Sequence, residues 1–261
     1  MEQVLETIVA KSRKELAESR KRIPASLLES RIPELPPVRD FAAALRRPGR
    51  RVIAELKAAS PSKGAIRPEL DREVERLAAG LEAAGAAALS VLTERNFFLG
   101  SGMNLCRARG SVDIPLLRKD FIYDEYQILE ARVWGADAIL LIAAMLTPEE
   151  FRKLRAFAAS LGLAVLCEAH TADELDMLLD GGAEIVGINA RNLSTFDTSL
   201  ALAGELIRQI PAGKIAVAES AIRSADDLNA MEQLGAKAFL IGETLMRAER
   251  PGEKLCELLS K

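Results

Sequence analysis

Two charges close the first apolar run of the chain. Glu55, Leu56 and Lys57 follow Val52–Ala54, and the spacing of two puts Glu55 and Lys57 on one face of an extended strand. A charge at the end of a buried strand is costly unless it is paired or does work. The same anomaly recurs down the chain. Arg118-Lys119-Asp120, Glu168-Ala169-His170, Asn189-Ala190-Arg191, Glu219-Ser220 and Gly242-Glu243 each terminate an apolar run. Two lysines and several carboxylates around one cavity make a proton-transfer site, because burial and mutual proximity drive their pKa values apart. Any one of these pairs read alone is equally well a buried ion pair.

The elements that would bring such ends together follow from periodicity. A Gly-Ala pair leads closely into an apolar run four times, at Gly85, Gly135, Gly182 and Gly235. The runs are ALSVL, AILLI, EIVGIN and AFLIG. Val52 to Leu56, Ile114 to Leu117, Leu163 to Leu166 and Ile215 to Val217 complete a set of eight, about 25 residues apart, the length of one strand-helix unit. Each glycine is expected to end a helix in the left-handed conformation, and each run to be a parallel strand buried on both faces. Helical patterns lie at 71–84, 125–134, 148–161, 172–179, 200–210 and 225–234, with caps at Thr147, Thr171 and Ser224.

Strict alternation in eight units predicts an α/β fold, a (β/α)₈ TIM barrel. An open dinucleotide-binding sheet would carry GxGxxG after its first strand, where this chain has SPSKGA. The expectation is one barrel domain over 1–261. Residues 1–50 form a helical extension packed on it, with a helix over 4–22, prolines at 24, 33, 36 and 37, and one or two further turns over 40–45.

With 261 residues, a net charge of −3 and no extended run of like charge, a nucleic-acid or anionic-membrane partner is not expected. No apolar stretch is long enough to span a bilayer, and the mixed charges of the first 22 residues are unlike a signal peptide. Cys106, Cys167 and Cys256 are far apart, and with a single histidine they give no metal-binding spacing. They read as reduced thiols of a cytoplasmic protein. Neither metal nor cofactor is expected. The chain is expected to be a monomer, with a dimer left open. Ser60-Pro61-Ser62-Lys63 spells the S-x-x-K of penicillin-binding proteins without its companion motifs, and it is no P-loop. His170 has no nucleophile partner in sequence and reads as a hydrogen-bonded structural imidazole, with at most an orienting role. The ends of strands 7 and 8, Ser220-Ala221 and Gly242-Glu243, sit where barrels of this type often bind phosphate.

The stretch IAELKAASPSKG from Ile53 to Gly64 resembles the first-strand signature of indole-3-glycerol phosphate synthases. The resemblance continues through LSVLTE (89–94), FFLGS (97–101), PLLRKDF (115–121), LCEAH (166–170), GINARNL (187–193) and AES (218–220). It covers nearly the whole chain, the leader helix included. It implies a carboxy-lyase of tryptophan biosynthesis that uses no cofactor. The substrate would be the sugar phosphate 1-(2-carboxyphenylamino)-1-deoxyribulose 5-phosphate, and the reaction ring closure, decarboxylation and dehydration to indole-3-glycerol phosphate.

On this resemblance Lys119 is the general acid of ring closure. Lys57 binds the carboxylate or a sugar hydroxyl and serves as acid in dehydration. Glu168 stabilises the developing cationic nitrogen or acts as base. Glu55 pairs with the lysines and shares the base role. Asn189 and Arg191 position the substrate, and Glu219 supports the network. Ser60, Ser220, Ala221, Gly242 and Glu243 hold the phosphate, the last three mainly through backbone N–H groups. Phe97, Phe98 and Phe121 wall an apolar pocket for the aromatic ring. Two departures stand out. Ala221 occupies a position where the family usually has glycine, so crowding of the phosphate or a negative φ is expected there. Glu243 occupies a position that usually carries a small hydroxyl residue, and a carboxylate beside a phosphate is unfavourable unless it points away. Two rival readings are a phosphoribosylanthranilate isomerase-like barrel, which would want a cysteine at the end of strand 1, and a catalytically inactive barrel that binds a phosphate ligand.

Overall fold

The computed structural model of the protein describes residues 2–191 and 198–260. Eight strands, β1 (Arg51–Leu56), β2 (Ala88–Leu92), β3 (Leu116–Lys119), β4 (Ala138–Ile142), β5 (Ala164–Ala169), β6 (Ile185–Asn189), β7 (Ile215–Glu219) and β8 (Ala238–Ile241), form a closed barrel. All pairings are parallel. Ile53 stands opposite Ala88 of β2 on one side and Leu240 of β8 on the other, which closes the ring. Between the strands lie α4 (Leu70–Ala83), α5 (Gly102–Arg109), α6 (Glu125–Val133), α7 (Pro148–Ser160), α8 (Ala172–Asp180), α9 (Leu200–Ile207) and α10 (Ala225–Gln233); α11 (Glu243–Met246) and α12 (Pro251–Leu259) follow β8. The (β/α)₈ barrel expected from the eight apolar runs is therefore the fold observed.

Alternation along each strand sorts the core into two populations. Val52, Ala54 and Leu56 face outward and pack with helix residues such as Val74, Leu77 and Leu81. Ile53, Leu117, Leu166 and Val217 face inward and fill the barrel. Gly85, Gly135, Gly182 and Gly235 all have φ between +81 and +110, the left-handed helix end that their repeated placement predicts. Thr147 and Ser224 close capping boxes, and Thr171 caps α8 by accepting from the Glu174 N–H.

The extension holds more helix than its prolines suggest. Besides α1 (Glu2–Arg22) and α3 (Phe41–Arg46), a short α2 (Ala25–Arg31) lies between Pro24 and Pro33. Phe41 and Leu45 of α3 pack with Ala138, Ile215 and Ala238, the first residues of their strands, and so seal the N-terminal end of the barrel. α1 starts at the opposite end, where Leu5 and Ile8 of its first turns line the mouth. Helix α5 also goes beyond the sequence pattern. Ser101 caps it, and Gly102 leaves room for the Trp134 ring, whose nearest atoms lie 2.8 Å from where a Cβ would stand.

Candidate active site

The mouth at the C-terminal ends of the strands is a cavity of about 350 Å³. Its floor is built by strand parity. Glu55, Lys119, Glu168 and Glu219 each stand two residues beyond an inward apolar residue, on β1, β3, β5 and β7. Barrel cores are stacked in layers of four side chains from alternate strands. These four groups occupy the uppermost such layer, and two glycines make space for it. A Cβ on Gly187 of β6 would overlap a carboxylate oxygen of Glu219, and a Cβ on Gly242, just past β8, would overlap one of Glu55.

The layer is tightly paired. Nζ of Lys119 lies 2.8 Å from Oε2 of Glu168 and 3.5 Å from Oε2 of Glu219. Nζ of Lys57 lies 2.5 Å from Oε1 of Glu55. Asn189 Nδ2 donates to Oε1 of Glu168 (3.2 Å), and Asn189 Oδ1 accepts from Ser220 Oγ (2.7 Å) and from the Arg191 backbone N–H (3.0 Å). The three carboxylates are 2–4% exposed, whereas Lys119 and Lys57 keep 13% and 19%, so the ammonium groups face the cavity.

Burial and charge drive the carboxyl groups apart. Burial works to raise Glu168, but Lys119, His170 and the Asn189 amide overcome it and hold Glu168 ionised, well below the usual carboxylate range. Glu219 goes the other way. Burial, reinforced by the charges of Glu168 and Glu55, pushes it up to about 8 against the pull of Lys119. Its Oε1 has no hydrogen-bond partner among the described residues. Burial disfavours the Lys119 cation, yet Glu168, Glu219 and Glu55 together raise its pKa above that of an ordinary lysine. The layer therefore holds an ammonium, an ionised carboxylate and a carboxyl disposed to keep its proton, all within hydrogen-bonding reach.

The other expected residues sort into two walls. Phe98 and Phe121, with ring centroids 6.0 Å apart and planes tilted by 47°, form an apolar wall with Leu5, Ile8, Leu140 and Ile142. Phe97 is not on that wall. It is a correction to the expectation: its ring packs beside the inward cluster without lining the cavity, under the Lys11 ammonium at 5.7 Å. Opposite, Ser60, Ser220, Ala221, Gly242 and Glu243 line one side of the cavity together with Ser62, Lys63, Arg191 and Arg247. Arg191 ties the wall together, donating to Ser62 Oγ at 3.0 Å. Pattern does not single out Lys63 and Arg247, since one lies in a loop and the other directly follows the four-residue α11.

Three further residues bear on those expectations. Ala221 does not take a negative φ. Ser220 and Ala221 are left-handed at +66° and +59°, so the backbone shape usually reserved for glycine survives the methyl group. Glu243 turns to cations: Oε1 is 3.0 Å from Arg247 Nε and Oε2 is 3.6 Å from Arg191 Nη2. Burial opposes its ionisation, but Arg247, Lys63 and Arg191 hold its pKa down. Arg118 is not at the mouth at all. Strand parity turns it outward, where it stacks on Trp134 at 4.3 Å and bonds Gln127 O and Thr93 Oγ1. Asn192 and Leu193, the last residues of the GINARNL stretch, lie outside the described residues. Among the described residues no cluster of His, Cys, Asp and Glu could hold a metal ion, and no helix is long and apolar enough to cross a membrane.

A family model described as indole-3-glycerol phosphate synthase matches residues 5–258. The chain belongs to the indole-3-glycerol phosphate synthase family. Curated relatives carry the same name over full length. One from Dechloromonas aromatica is 44% identical, covering 100% of both chains. One from Chromobacterium violaceum is 45% identical, covering 99% of this chain and 98% of its own. Among solved structures, 3-hexulose-6-phosphate synthase superposes with a TM-score of 0.64 at 12% identity, over 80% of this chain and 97% of the other. A tryptophan synthase alpha-subunit from Pyrococcus furiosus superposes at 0.62 and 17%, with the same coverage. At such identities the likeness concerns the fold alone, and it places this family member among other closed barrels. The isomerase-like reading finds no support at the end of β1, where Glu55 and Leu56 are followed by Lys57 and no cysteine is present.

Proposed function

We propose that the protein is a carboxy-lyase of tryptophan biosynthesis. In this reading it converts an anilino-deoxyribulose phosphate bearing a ring carboxylate into indole-3-glycerol phosphate, carbon dioxide and water. The observation that carries the reading is the convergence of Lys57 and Lys119 with Glu55 and Glu168 in one mouth, between an aromatic wall and a cationic one. The anthranilate ring lies against Phe98 and Phe121. The phosphate lies against the left-handed Ser220-Ala221 turn and Gly242, under Lys63, Arg191 and Arg247, with Ser60 at its edge. Glu243 contributes its backbone N–H there while its side chain is held by the arginines.

Lys119 then gives a proton to the ketone oxygen as the ring carbon attacks. Its high pKa keeps it charged until the oxygen becomes basic. Glu168, ionised and opposite, stabilises the cationic nitrogen formed by that attack. Carbon dioxide leaves with its bonding pair returned to the ring. Lys57 protonates the departing hydroxyl, and Glu55 or Glu168 removes the last ring proton. Asn189 and Arg191 orient the sugar hydroxyls between the two walls, and Glu219 sets the charge around Lys119. Incubation with the anilino-ribulose phosphate, followed by indole fluorescence, tests the proposal. Appearance of indole emission supports it, whereas substrate binding without product returns the inactive-barrel reading.

A further inference from the structure

His170 is the single histidine of the chain, and no step above uses it. It stands two residues beyond Glu168, as β5 leaves the barrel, with its side chain 10% exposed. Nε2 lies 3.4 Å from Oε1 of Glu168, and Nδ1 lies 3.4 Å from Oε2 of Glu174. Neither ring nitrogen has a well-formed hydrogen bond among the described residues. Buried polar atoms left so are costly, and small rotations close such gaps. Glu174 is fixed on its own side. Its Oε2 accepts the His170 backbone N–H at 2.7 Å, and its N–H donates to the Thr171 cap. Glu174, His170, Glu168 and Lys119 thus form a row from the first turn of α8 into the mouth.

We propose that His170 is a positioning residue: it donates from Nε2 to Oε1 of Glu168, with Glu174 anchoring the residue through its backbone N–H. The proposal rests on Glu168 acting as the stabiliser of the cationic nitrogen. Once Lys119 has given up its proton, Glu168 loses its main counter-charge while the substrate nitrogen still needs an anion. A donor on the far oxygen keeps the carboxylate ionised and aimed at that moment. Substrate binding precedes that moment, so the contribution belongs in kcat.

Two measurements test this. His170→Gln carries an amide N–H where Nε2 stands, and His170→Asn carries one only where Nδ1 stands. His170→Asn is expected to lower kcat about tenfold or more with KM within about twofold, the scale of one lost charge-assisted hydrogen bond, and His170→Gln to recover most of it. Thermal midpoints of the two variants separate this from misfolding. Equal losses in both, or a loss carried by KM, overturn the proposal. The second measurement needs no turnover. With one histidine, ¹⁵N NMR of the unliganded protein reads the ring directly. Nε2 is expected to appear as a protonated nitrogen whose signal moves in Glu168→Gln, and an unprotonated Nε2 refutes the proposal. A wild-type protein with no turnover would count against the reaction instead, and NMR alone would then decide the role of His170.

Discussion

Replacing Gly187 with alanine puts a methyl group where the Glu219 carboxylate now lies. The new carbon would overlap Oε1 of Glu219 and stand 3.1 Å from its Cδ and 3.2 Å from Leu166 Cδ1. Restoring ordinary contact requires the carboxylate to move on the order of 1 Å. Lys119 and Glu168 bound it on the other side, so the layer has to give. Overpacking of this kind costs about 1–3 kcal/mol. The backbone itself does not resist, because Gly187 is not among the residues with positive φ. Alanine at a compatible site stabilises by about 0.4–1 kcal/mol through the unfolded chain. The expected net loss is therefore about 1–2 kcal/mol, with kcat/KM falling by up to about a hundredfold as the Lys119 geometry shifts. In a Glu219→Ala background the clash disappears and the sign reverses: Gly187→Ala becomes neutral or stabilising. Denaturant midpoints of the four proteins measure this as a coupling of about 1–3 kcal/mol. Equal destabilisation in both backgrounds would refute the idea that Gly187 exists to seat that carboxylate.

Lys119→Ala should lower kcat about a hundredfold or more, the scale of a positioned acid, while a competing product analogue still binds. The raised pKa of Glu219 makes stability depend on pH. Its proton is held more tightly in the folded state, so its contribution is complete below the unfolded value near 4.5 and is lost as pH rises through about 8. The melting temperature of the wild type is expected to fall relative to that of Glu219→Gln across that window, and parallel curves would contradict the assignment. Glu243→Gln removes a fixed negative charge from the cationic wall and should tighten inorganic phosphate about tenfold by calorimetry; unchanged affinity would mean that Glu243 lies too far from the anion to matter.

The barrel was legible because parallel strands buried on both faces leave contiguous apolar runs, and each glycine-ended helix marks where the next begins. The floor of the site was legible for a related reason: Glu55, Lys119, Glu168 and Glu219 are charges where period-two alternation demands a hydrophobe. Arg118 shows the limit of counting strand ends without parity. It adjoins Leu117 and Lys119, both inward, so it must point outward. Phe97 and Phe98 are adjacent and differ only in direction after a strand has ended, where no periodicity applies. Lys63 and Arg247 lie 184 residues apart in sequence, and only the closure of β1 against β8 brings their surroundings together. Helices α2 and α5 are seven and eight residues long, α2 bracketed by Pro24 and Pro33 and α5 opening on Gly102, so breaker residues mask their short periods.

The layer of four ionisable groups takes the level that leucine, isoleucine or valine would otherwise fill. Swapping a buried ion pair for well-fitted hydrocarbon often leaves a protein as sturdy or sturdier, by about 1–4 kcal/mol. The topmost tier of this core is thus a deliberate weakness. Plugged with branched aliphatics, the same tier would make an inert, tougher cylinder, so the fold gives up strength at that one level to carry acid and base there.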